Sequence, residues 1–118
     1  MTDFLPVFDR LKPLLKGIPG AQVTADGPEG FSLNTPYSDK WKKELFLGAV
    51  QIKKNYVSFH FMPVYMFPQL LEGISPQLKK HMQGKSCFNF KAVDEPLFEE
   101  LAGLVERSLQ HVRSEGVL

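Results

Sequence analysis

Two neighbouring runs of alternating side chains restrict this chain more than any other feature. Between Glu44 and Lys54, Phe46, Gly48, Val50 and Ile52 fall on one face of an extended segment, and Leu45, Leu47, Ala49 and Gln51 on the other. After a turn at Lys54-Asn55-Tyr56, Val57, Phe59 and Phe61 alternate with Ser58, His60 and Met62. A period of two on both sides of a short turn predicts an antiparallel pair, with the first run a central strand.

The remaining segments take their places around that pair. Phe4, Leu5, Phe8, Leu11 and Leu15 recur at helical spacing, with Thr2 or Asp3 as N-cap and Pro6 tolerated in the first turn. Pro13 lacks a backbone donor and should end or kink that helix near Lys12. Ala21–Ala25 and Phe31–Thr35 have β character and flank a turn at Asp26-Gly27-Pro28-Glu29-Gly30, which reads as a hairpin. Pro63 ends the strand that starts at Val57, and Tyr65–Glu72 reads as a short helical or irregular stretch broken by Gly73. Ser75 followed by Pro76 signals a helix start, with Gly84 placed to stop that helix. Lys85–Phe90 supplies a last strand, with Phe88 and Phe90 on one face and Cys87 and Asn89 on the other. From a cap at Asp94, the stripe of Leu97, Phe98, Leu101, Ala102, Leu104, Val105, Leu109 and Val112 marks a long amphipathic helix.

This order predicts an α+β fold, a mostly antiparallel sheet of about five strands packed against N- and C-terminal helices. At 118 residues the whole chain, 1–118, reads as a single domain. A hydrophobic fraction of 43% with ten phenylalanines is enough to offset ordering entropy, so disorder is excluded. The single cysteine, Cys87, rules out an internal disulfide, and the early apolar run is interrupted by Pro6 and Asp9 as a signal peptide is not. The expected compartment is the cytoplasm. The longest uncharged stretch with much apolar content, Val57–Leu71, holds His60, Gln69 and two prolines, whereas a membrane span needs about 20 mostly apolar residues.

A net charge of +1 conceals a separation along the chain. Nine lysines face two glutamates between Lys40 and Lys91, while six acids face two arginines from Ala92 onward. A basic middle of this kind serves either a polyanion-binding face or the discouragement of strand-edge aggregation, the second being the commoner use.

From Gly48 to Phe90 the chain also carries a familiar frame. Gly48-Ala-Val-Gln-Ile, Tyr56-Val-Ser-Phe-His-Phe, Leu70-Leu-Glu-Gly-Ile-Ser-Pro-Gln-Leu-Lys and Gln83-Gly-Lys-Ser-Cys-Phe-Asn-Phe, followed by Asp94-Glu-Pro-Leu, resemble the YdhG-like bacterial family of unknown function. The likeness is close over about half the chain and extends to the rest in element order. It implies a bacterial source, a compact frataxin-like α+β fold and, for some members, a proposed iron-chaperone role. Frataxins present an acidic ridge on the first helix and adjoining strand, where this chain has only Asp3, Asp9 and Asp26 mixed with Arg10, Lys12 and Lys16. The densest carboxylates are instead Asp94, Glu95, Glu99 and Glu100, which are the alternative iron ligands because hard cations prefer oxygen. Acids at a helix start are also expected for the helix dipole alone.

Other chemistries find less support in the residues. His60, His81, His111 and Cys87 show no metal-ligand spacing, and Ser86 in Gly84-Lys85-Ser86 lacks the upstream glycine of a phosphate loop. Lys40, Trp41, Lys42 and Lys43 join an aromatic to lysines, as a polyanion or single-strand nucleic-acid binder requires. The segment Phe61–Pro68 packs two methionines and three aromatics between prolines, more apolar area than an irregular stretch can turn inward. His60, Met62, Tyr65, Met66 and Cys87 are therefore the expected lining of a ligand pocket. The reading that follows is a non-catalytic module, monomeric or homodimeric, that binds a small molecule or a protein partner and no membrane.

Overall fold

In a computed structural model, which describes residues 4–37, 39 and 42–116, the chain forms a six-stranded antiparallel sheet with helices packed on one face. The elements in order are α1 (Leu5–Leu11), β1 (Gln22–Gly27), β2 (Gly30–Asn34), β3 (Phe46–Ile52), β4 (Val57–Phe61), α2 (Met62–Met66), α3 (Pro76–Lys79), β5 (Met82–Gln83), β6 (Cys87–Phe90) and α4 (Glu95–Ser114). The strands lie side by side as β1-β2-β3-β4-β6-β5. No helix among the described residues is long and apolar enough to cross a membrane.

The period-two pattern is realised where it is strongest. Val57, Phe59 and Phe61 are fully buried, and register places Val50 and Phe88 on either side of Phe59. Phe31 and Leu33 of β2 and Phe90 of β6 join them on the same inner face. Over this face lie Val7, Phe8 and Leu11 of α1, then Leu15, and the stripe of α4 from Leu97 to Val112. Each large apolar side chain buried here contributes about 1.5–3 kcal/mol relative to exposure, so the shared face is the main source of stability. Ser32, Gln51, Ser58, His60 and Asn89 occupy the opposite face, and none of them is buried.

The ends of the helices follow their sequence signals. Asp94 caps α4 by accepting from Leu97 N at 3.2 Å, and Ser75 caps α3 by accepting from Leu78 N at 3.1 Å. Glu100 of α4 in turn accepts from both the amide and the hydroxyl of Ser75 at 2.6 Å each, tying the two helix starts together. Pro13 sits in a 3-10 turn, Lys12–Leu14, that ends α1 where its missing donor predicts. The expected caps of α1, Thr2 and Asp3, fall outside the described residues.

Four local differences separate the structure from the sequence reading. The sheet has six strands because α3 stops at Lys79, well before Gly84, and Met82–Gln83 pairs with β6 instead. Gly84, at φ +79°, makes the turn between those two strands. Leu5 is 48% exposed although it shares the helical spacing, because Val7 takes its place on the buried side of a helix only seven residues long. Phe46 and Leu47 exchange faces: Leu33 pairs with Gly48 and Asn34 with Phe46, so Leu47 is an extra residue in β3 that turns into the core. A second bulge, at Thr24 in β1, separates the pairs Val23–Leu33 and Ala25–Ser32.

Candidate functional site

The bulge at Leu47 builds the site. By turning Leu47 inward it sets the Phe46 ring on the open face, edge-on to the His60 imidazole with centroids 5.0 Å apart at 65°. Just before β3, Thr35 N donates to Leu45 O at 2.7 Å and Thr35 Oγ1 accepts from Leu45 N at 2.9 Å. These two hydrogen bonds to a buried threonine hold the Leu45 backbone in place beside Phe46. On the other side β4 runs directly into α2, whose first turn accepts Pro63, and the helical spacing brings Met62, Tyr65 and Met66 to one side. Between the two walls lies an open hollow of about 240 Å³ lined by Lys43, Leu45, Phe46, Met62, Tyr65 and Met66. Pro63 and Val64 are buried, whereas Tyr65 is 54% exposed at the mouth.

His60 and Cys87, the other two expected pocket residues, lie next to the hollow but do not line it. They face each other across β4 and β6, and His60 reaches the hollow only through Phe46. His60 Nε2 is 2.7 Å from the hydroxyl of Ser86, which is itself buried. A serine and a histidine at this distance resemble a nucleophile and its base. Among the described residues, however, no Asp or Glu is bonded to the imidazole to orient it as such catalysis needs, and burial alone acts on its titration. The pair instead fastens β4 to the entry of β6.

Partial burial lowers the His60 pKa below its usual value. The unfolded chain therefore binds a proton near pH 6.5 that the folded chain resists. The stability this contributes is complete above about pH 6.5 and is lost as pH falls through the lower folded value. His60→Gln, which cannot titrate and can still bond Ser86, should flatten the fall in urea midpoint between about pH 7.5 and 5.5. A pH dependence identical to that of the parent chain would show that His60 does not cause it.

The four candidate iron ligands do not converge. Asp94 is occupied as the cap of α4, and Glu100 accepts from Ser75. Glu95 forms a bidentate pair with Arg10, whose hydrogen bonds and charge hold its carboxyl below the ordinary range. Glu99 stands exposed at a separate hollow shared with Arg10 and Glu95. Three of the four carboxylates thus serve helix ends or one surface ion pair, and among the described residues the four do not gather as a metal-holding group.

Of the four polyanion candidates, Lys40 and Trp41 lie outside the described residues. Lys42 and Lys43 are exposed, and Lys42 holds a left-handed backbone conformation at φ 60°. Phe59 and Phe61 are core residues, so they offer no stacking platform for bases. Lys43 belongs instead to the mouth of the hollow, together with Leu45 and Phe46, which the sequence reading did not place there. Their proximity to α2 depends on the bulge, and only the lysine cluster marked that segment as worth attention.

Two larger hollows differ in their charge. One of about 380 Å³ sets Glu29 among Lys53 and Lys54, and one of about 360 Å³ sets Asp94 beside Lys91. Both mix opposite charges, whereas among the described residues the hollow at Phe46 has a cation as its sole charged wall. Comparison with protein-family models, with curated proteins and with solved structures finds no match to this chain.

Proposed function

We propose that this chain is a small, non-catalytic binding module of the YdhG-like type that seats an apolar group in the hollow between β3 and α2. The observation that carries the reading is the convergence of Leu45, Phe46, Met62, Tyr65 and Met66 on one open cavity. Two thioethers and two aromatic rings make an adaptable apolar wall, the usual composition of a small-molecule site. The resemblance over Gly48–Phe90, with the antiparallel sheet and terminal helices, supports the family assignment, and the lone cysteine supports a cytoplasmic setting.

Methionine-methyl NMR tests this directly, since the chain has four methionines and Met82 lies apart from α2, in β5, paired opposite Phe88. A neutral aromatic fragment, 3-phenylpropanamide, should shift the Met62 and Met66 methyls and leave Met82 in place. Tyr65→Ala and Met66→Ala should each weaken the fragment by about 5–10-fold, the worth of one well-packed apolar contact, with little change in melting temperature. Unshifted Met62 and Met66 methyls at ~10 mM fragment, or equal affinity in both variants, would refute the hollow as a binding site.

A further inference from the structure

The charge at the mouth of the hollow narrows what it holds. Among the described residues Lys43 is the one charged side chain in the lining and makes no ion pair, while its exposed chain neighbours Lys42 and Glu44 carry opposite charges and lie outside the lining. No carboxylate among the described residues lines the cavity, in contrast to the hollows at Glu29 and Asp94. The Tyr65 hydroxyl, on a side chain exposed at the same mouth, is a further donor. At about 240 Å³ the space lies below the range of roughly 300–1,000 Å³ common for drug-sized ligands, so its occupant is a fragment of about ten heavy atoms.

We infer that the hollow selects a small organic monocarboxylate with an aromatic or branched aliphatic body. The apolar body lies against Phe46, Met62 and Met66, and the carboxylate meets the Lys43 ammonium at the mouth. A neutral analogue keeps the first set of contacts and loses the second. A cationic analogue is repelled by the Lys43 ammonium, which no described carboxylate pairs. This inference rests on the hollow being a binding site and adds the charge of what it binds.

The test compares 3-phenylpropionate, 3-phenylpropanamide and 3-phenylpropylammonium, three probes of one shape, by the same methyl shifts at fixed ionic strength. The carboxylate is expected to bind at least about fivefold more tightly than the amide, as for one partly solvated charge-assisted contact, with the ammonium weakest. Lys43→Gln should remove the preference for the carboxylate over the amide, and Lys43→Arg should restore it. Lys43 is exposed, so these variants retain the fold. Equal binding of carboxylate and amide, or a preference that survives Lys43→Gln, would overturn the inference while leaving the hollow as a site. Failure of all three probes to move Met62 and Met66 would overturn both.

Discussion

Phe59→Ala should destabilise the domain by about 3–5 kcal/mol, the usual cost of emptying a buried aromatic position. Phe59 has no exposed surface and sits mid-sheet, with Val50 and Phe88 as its cross-strand partners and the Phe61 ring centroid 6.1 Å away. The strands around it are hydrogen-bonded on both sides and cannot collapse into the space. Against a total of roughly 5–15 kcal/mol for a domain, this loss should lower the melting temperature by roughly 10–25 °C. Val23→Ala is the matched control, because Val23 is 57% exposed on an edge strand and should change stability by only about 0.5 kcal/mol. A urea midpoint for Phe59→Ala close to that of the control would contradict the described core.

Gly48→Val should be at least as damaging, by the opposite route. A Cβ at Gly48 meets the main-chain oxygen of His60 at 3.0 Å and the two Leu15 methyl carbons at 3.3 and 3.4 Å. The first neighbour is backbone of the paired strand and yields only if β3 and β4 separate. The second belongs to a fully buried side chain with nowhere to rotate. Gly48→Ala should cost about 1–3 kcal/mol as an overpacking substitution, and the two further methyls of valine should cost more. Hydrogen exchange should report the loss at the amides of β3 and β4 first. A Gly48→Ala protein as stable as its parent would mean that Leu15 does not press on the sheet as described.

These two positions also show how much the sequence disclosed. The inward set of β4 was legible because three aromatic or branched residues alternate with Ser58 and His60, and only a half-buried strand rewards that pattern. The caps at Asp94 and Ser75 were legible because each rests on local hydrogen bonding within four residues. The bulge at Leu47 was not. An inserted residue leaves a run of apolar side chains looking regular, and its phase shift is fixed by which residue of β2 pairs with which of β3. With the bulge hidden, Phe46 was assigned to the wrong face, and its meeting with Met62, Tyr65 and Met66 was out of reach. The two residues of β5 escaped for a related reason, since a pair of residues has no period to detect. Met62, Tyr65 and Met66 could be nominated as a group because they stand within one helical turn of one another.

The second bulge, at Thr24, bears on what the sheet does at its margins. An incoming strand needs a run of evenly spaced amides and carbonyls to pair with, and the extra residue in β1 interrupts that spacing while twisting the strand. The far margin is guarded by brevity, since β5 offers only two residues. Neither rim is a good template for another copy of the chain. Growth of the sheet from molecule to molecule is thus suppressed at both ends, and any self-association is left to the uncovered face or the helical side.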